Sequence, residues 1–235
     1  IGRFLYALGH PLDEVHGYLA EAAHYLHKVF ELRGTQSPFP VTVVTADKKG
    51  RVVRREPLHP PGSVDYSLTN SANGLQGVYL ALIAGNLDLA RSIAEMIWDP
   101  PDAEYVHHGS EVCTPNEQHL AYAIKHLLLG DQDACMEELA LVDANTAATD
   151  VQCQAKMVKA IVLKQPDAFL QNLEALLAWH EKTDPRLTGQ KHPDYPEWFL
   201  SIPGLGLVAL AQVEGVIDQV DFSNVYLPLD MLALG

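Results

Sequence analysis

The sequence is poor in the residues that staple, span or catalyse. It has three cysteines in 235 residues, Cys113, Cys135 and Cys153, an odd number without a C-x-x-C pair. That pattern argues against a disulfide framework and against a structural zinc site, and leaves reduced, partly buried thiols in the cytosol as the expectation. No apolar run reaches the roughly 20 residues that a membrane-spanning helix needs. Cations are scarce: 16 Lys and Arg stand against 30 Asp and Glu, for a net charge of −14. Proteins that hold duplexes need basic patches to displace counterions, so this balance argues against nucleic acid as the partner and suits a partner that is itself basic. No Walker A loop, G-x-G-x-x-G after a strand, G-x-S-x-G or H-E-x-x-H is present. No catalytic residue, cofactor or metal is therefore assigned. The chain opens Ile-Gly-Arg rather than on Met, which reads as a trimmed start and is compatible with a signal removed earlier. A cytoplasmic protein without a membrane segment is the expectation.

What is present is mostly helical periodicity. Residues 4–33 repeat apolar side chains at three- and four-residue steps, from Leu5, Leu8 and Leu12 through Val15, Leu19 and Ala23 to Phe30. This predicts a helix that Pro11 splits near its start and Gly34 ends. The stretch VTVVTADKKGRVVRRE is different, β-branched and alternating around Asp-Lys-Lys-Gly. It predicts one small hairpin, with Arg51, Arg54 and Arg55 keeping the ribbon solvated. A Pro-rich linker, PLHPPGSVD, follows. Beyond about residue 64 only helices are expected. The fold class is mainly α: stacked helical hairpins in a repeat-like, TPR-like array, with one N-terminal β-hairpin. It is read as a single helical domain over 1–235, with residues 1–62 forming the N-terminal helix, hairpin and linker and 63–235 the array.

The repeat is visible in three segments. GNLDLARSIAEMI (85–97), GDQDACMEELALV (130–142) and KQPDAFLQNLEALL (164–177) each end one helix in a polar turn and begin the next. Asp88, Asp133 and Asp167 fall in the first turn of that next helix, where a carboxylate complements the helix dipole. The three Asp are 45 and 34 positions apart, so the period is irregular, as in degenerate helical repeats. In SANGLQGVYLALIAGNLDLA (71–90), Gly85-Asn86 reads as the turn of a helix hairpin, and Gly74 and Gly77 as points of close approach. TPNE (114–117) predicts a capping box, with Thr114 as N-cap, Pro115 at N1 and Glu117 at N3. A helix is expected from about Val151 to Leu163, a long loop over DPRLTGQKHPDYPE, a last buried helix over 204–215, and an apolar tail docked on the helices.

Reactive residue types are scattered. Among 11 histidines, His24 and His27 share a helix face, His119 and His126 lie seven apart, and His107-His108 falls beside Glu104 and Glu111. A transition-metal site needs three or four convergent ligands, and no local run supplies them. The distinctive feature is charge. Between 86 and 150 there are 13 Asp and Glu against two cations, Arg91 and Lys125. Many of these acids fall between helices: Asp99, Asp102, Glu104, Glu111, Glu117, Asp131 and Asp133. If the hairpins stack, these connections share rims and favour capture of a basic partner. Tyr105, with Trp98 and Tyr122, is an aromatic that such a surface could use as an anchor, or that the core could bury.

Three stretches resemble the bacterial immunity protein 49 family of polymorphic toxin systems. They are SANGLQGVYLALIAGNLDLA, LVALAQVEGVIDQVDFSNV and the tail YLPLDMLAL (226–234). The resemblance runs from about 64 to 234. It implies an all-α fold without enzymatic activity, and a cognate protein toxin as the partner, bound and neutralised by stoichiometric sequestration. A toxin with a basic active-site surface would suit the acidic connections. The partner-facing residues are then expected to be Asp99, Asp102, Glu104, Tyr105, Glu111, Glu117, Asp131 and Asp133. Two other readings stand beside it: a general helical-repeat adaptor for a protein or peptide, and a metal-dependent hydrolase using the histidines.

Overall fold

The structure is a computed structural model that describes residues 9–32, 69–97, 114–142, 146–184 and 200–232, together with short backbone segments between 39 and 59. Eight α-helices pack together in the described residues. They are α1 (Leu12–Glu31), α2 (Ser71–Ile83), α3 (Leu87–Met96), α4 (Pro115–Leu128), α5 (Gln132–Leu141), α6 (Thr149–Val162), α7 (Pro166–Thr183) and α8 (Ile202–Val213). A single 3₁₀ turn, Leu229–Met231, follows. Buried apolar side chains from Val15 to Leu232 form one contiguous cluster.

Local chemistry explains where the helices start. α1 opens directly after Pro11, whose carbonyl accepts from the Val15 amide, and carries Asp13 and Glu14 in its first turn. The predicted split at Pro11 is thus a helix start, because proline lacks the N–H that an interior position must donate. The chain before Gly9 lies outside the described residues, as does the predicted stop at Gly34. Asn70 caps α2 by accepting from the Asn73 amide at 2.9 Å. α4 begins with the full reciprocal capping box at Thr114 and Glu117, with Pro115 in its first turn.

Two helices are apolar on nearly every side and occupy the centre, as such helices must. In α2, 10 of 13 residues are buried, and it packs against α1, α3, α4 and α8. In α8, nine of 12 are buried. Their contact is close at Gly206: a Cβ there would lie 2.5 Å from Tyr79 Cδ1 and 2.8 Å from its Cβ. Gly74 plays the same part on another side of α2, where a Cβ would meet Ile97 Cγ1 at 2.6 Å. The remaining helices lie around this pair, and α5 is the most peripheral, burying only Cys135.

The hairpin turns are built alike. At the ends of α2, α4, α6 and α8, the residue at left-handed φ is Gly85, Gly130, Lys164 and Gly215 in turn. Each time its amide donates three residues back, and the next amide donates five residues back: Asn86 to Ala81, Asp131 to His126, Gln165 to Ala160, Val216 to Ala211. This is the Schellman arrangement, which satisfies carbonyls left over at a helix end. In the first two turns the following residue also caps the next helix: Asn86 accepts from Leu89, and Asp131 from Ala134. Asp88, Asp133 and Asp167 then fall in the first turns of α3, α5 and α7, as the sequence predicts.

These turns gather at one end of the bundle. Asn116 Nδ2 donates to Thr146 Oγ1 at 3.1 Å, joining the starts of α4 and α6, whose helices pack together. At the other end, Arg91 Nε reaches Leu128 O, and Lys164 Nζ reaches Glu214 O at 2.7 Å. The first bond sets the start of α3 beside the end of α4, and the second sets the end of α6 beside the end of α8.

The apolar tail docks as expected. Tyr226, Leu227, Met231 and Leu232 are buried, and His16 Nε2 on α1 hydrogen-bonds to Met231 O at 2.8 Å. In the N-terminal region, the backbone pairs Val43–Ala46 with Val52–Arg55 antiparallel. The turn of the expected hairpin, residues 47–50, lies outside the described residues, so the hairpin as a unit is not shown. Arg51 and most of the Pro-rich linker lie outside them too, as does the long loop predicted after Asp184.

Candidate interaction surface

Five of the eight residues expected to face a partner, Asp99, Asp102, Glu104, Tyr105 and Glu111, lie outside the described residues, as do Trp98, His107 and His108. The other three are placed, and they separate. Glu117 sits at the start of α4, while Asp131 and Asp133 follow its end. A helix of 14 residues holds these two groups about 21 Å apart. Glu117 is also committed locally: its Oε2 accepts from the Thr114 amide at 2.7 Å and from Thr114 Oγ1 at 2.8 Å. Asp131 is exposed but caps α5, and Asp133 projects from the first turn of the same helix. Tyr122, offered as anchor or core, is core at 3% exposure.

At the turn end, the exposed carboxylates Asp88, Asp133 and Asp167 occupy the second position of three alternate helices, α3, α5 and α7. Three cations nearby are used on carbonyls. Arg91 serves Leu128 O, Lys164 serves Glu214 O, and Lys125 Nζ donates to Ile97 O at 2.7 Å. They close helix ends, where cations are favoured by the dipole. Sequence reading registers them only as rare charges; their role depends on which helix end lies next to them in space.

The buried polar groups are pairings over long sequence distances. Tyr79 Oη donates to Gln154 Oε1 at 2.8 Å, both buried. Burial pushes the Tyr79 hydroxyl well above its ordinary value, with the Asp150 charge acting the same way. Asp150 itself is raised, first by burial and also by the Glu117 carboxylate, against two backbone hydrogen bonds that lower it. On the other side, Tyr226 Oη donates to the buried Asp184 at 2.9 Å, and its ring lies 4.7 Å from that of His180. No local motif pairs such residues, which explains why sequence reading missed them. Cys135 is pushed up to about 12 by burial and the Asp131 charge, which makes it an inert thiol rather than a nucleophile.

The histidines were the other candidate chemistry. His119 Nδ1 pairs with Glu138 Oε2 at 2.7 Å, tying α4 to α5. His27 Nε2 lies 2.8 Å from Ser92 Oγ, with Glu31 Oε1 3.6 Å from its Nδ1. That order resembles a Ser-His-Glu relay, yet Ser92 is inside α3, where neighbouring amides serve the helix rather than an oxyanion. The 3.6 Å gap to Glu31 also exceeds hydrogen-bond reach. The trio is a helix-to-helix clasp. Among the described residues, no group of three His, Cys, Asp or Glu is placed to hold a metal ion, and no helix is long and apolar enough to cross a membrane.

The described residues therefore define a helical scaffold whose distinctive chemistry lies in its helix ends and the carboxylates they expose. The family model for immunity protein 49 matches residues 11–231, nearly the whole chain. The chain belongs to that family, as the three sequence stretches imply. No curated protein and no solved structure matches it.

Proposed function

We propose that this chain is an immunity protein that binds a cognate bacterial toxin in the cytoplasm and neutralises it by stoichiometric sequestration, without catalysis. The observation that carries the reading is the family match over residues 11–231. The charge supports it: a chain at −14 suits a toxin whose active-site surface is basic. The partner-facing residues on this reading are Asp99, Asp102, Glu104, Tyr105, Glu111, Glu117, Asp131 and Asp133. Neutralisation by coverage needs no reaction centre in the immunity protein, only an interface large enough to exclude substrate, on the order of 800 Å² per partner.

The test is co-expression with the product of the gene directly upstream, scoring both survival and co-purification. Rescue with a one-to-one complex is the expected result. Rescue without a complex, or no toxicity to rescue, overturns sequestration and favours the adaptor reading.

A further inference from the structure

The turn end of the bundle carries more than charge. Six large apolar side chains are exposed among the described residues, and three of them, Leu129 (42%), Leu163 (45%) and Val213 (53%), close α4, α6 and α8 at this one end. α4 packs on α6, and α6 on α8. Packed helices run about 8–10 Å apart, so the three helix ends lie close enough for a single partner to cover. Scattered exposed leucines are ordinary; a group at equivalent helix ends is a surface. Asp133 and Asp167, exposed in the next helical turns, flank the group. Of the cations near this end, Arg91, Lys125 and Lys164 are bonded to backbone carbonyls and Lys164 also pairs with Glu214, while Lys159 in the last turn of α6 is exposed.

We propose that this turn end is the docking surface for the toxin, and that it takes a patch of apolar side chains ringed by Lys and Arg. The proposal rests on the immunity reading for the identity of the partner, and goes beyond it in choosing the face: of the partner-facing residues named there it keeps Asp131 and Asp133, and leaves Glu117 at the opposite end of α4. Charge complementarity selects the occupant. A second copy of this chain would bring carboxylates against carboxylates, and an acidic peptide would meet the same repulsion. A basic partner gains on both counts, with the aliphatic group supplying affinity and the carboxylates steering the encounter. Hydrogen-bonded backbone suits the task, because four closed turns hold the chain that carries these side chains and so limit the ordering cost at binding to the side chains themselves.

The probe is the toxin domain encoded by the upstream gene, inactivated in its catalytic site and titrated calorimetrically against the full chain. L129Q/L163Q should weaken binding roughly tenfold or more, the loss of one or two anchors. D133N/D167N should slow association and flatten its salt dependence. Both pairs are exposed, and thermal melts matched to the parent check that the fold is kept. If the leucine pair disturbs the fold, the aspartate pair reads the same face alone. Unchanged binding by the turn-end variants, with loss on reversing Asp102, Glu104 and Glu111, overturns this choice of face and leaves the immunity reading standing. No binding by the parent chain overturns both.

Discussion

One substitution made at two glycines tests the packing directly. Gly17 and Gly206 both lie inside helices, α1 and α8. Replacing either by Ala gains about 1 kcal/mol of helix propensity. Around Gly17 a new Cβ meets nothing within 4 Å, so Gly17→Ala should realise that gain. At Gly206 the new Cβ would lie 2.5–2.8 Å from Cδ1, Cγ and Cβ of Tyr79. Carbon atoms pack at roughly 3.5–4.0 Å, so α8 and α2 must separate by about 1 Å or the ring must turn. The ring is poorly placed to turn, since it is 2% exposed and its hydroxyl is tied to Gln154 at 2.8 Å. Overpacking of this kind costs about 1–3 kcal/mol, which exceeds the propensity gain at most of its range. Gly206→Ala should therefore destabilise by up to about 2 kcal/mol while Gly17→Ala stabilises. Urea unfolding reads both: the midpoint should fall for Gly206→Ala and rise for Gly17→Ala, with slopes unchanged. Equal stabilisation by the two would refute the close α2–α8 contact.

Two further outcomes follow from named groups. Asp150 has a raised carboxyl pKa, so its ionised form is disfavoured in the fold. The penalty is present above the folded value and vanishes once both states are protonated, below the ordinary value of 3.8. Asp150→Asn should raise the melting temperature at neutral pH, and the gain should shrink as pH falls through the carboxylate range; a loss of stability at neutral pH would contradict the assignment. Lys164 holds φ at +53°, where the other three turns have Gly. Lys164→Ala loses the contacts to Glu214 and keeps the strain, while Lys164→Gly loses the contacts and relieves it, so Gly should be the more stable by about 1 kcal/mol. Melting curves that rank Ala above Gly, as at an ordinary helical site, would show that this residue is not left-handed.

The helix ends were the legible part of the fold because their chemistry is local. Thr114, Pro115 and Glu117 specify a start within four residues, and Gly85, Gly130 and Gly215 specify stops. Lys164 shows the limit: the turn motif is the same there, but the residue that usually marks it is absent, and a contact with Glu214 accompanies the exception. The register of helix against helix was not legible. Gly206 signals close approach but not that Tyr79 is what approaches. The interaction surface divided in the same way. Exposed acids were readable as composition, whereas the 14-residue helix between Glu117 and Asp131 splits them into two ends. Leu129, Leu163 and Val213 look like any other apolar helical positions until the parallel ends of α4, α6 and α8 bring them together.

The four shared turns also set where this chain can tolerate a change in length. Each of the three hairpins α2–α3, α4–α5 and α6–α7 is joined by three residues, and in the first two the last of them closes one helix and caps the next. One inserted residue there would turn the second helix by about 100° and carry its buried stripe away from the core. In α7 that would move Phe169 and Leu173, both fully buried. The segments between hairpins are longer: 18 residues separate α3 from α4, seven separate α5 from α6, and 18 separate α7 from α8. Insertions and deletions that distinguish relatives are therefore expected to collect at that opposite end. The turn end would keep its shape while its side chains change, a fixed frame on which partner preference can be altered one residue at a time.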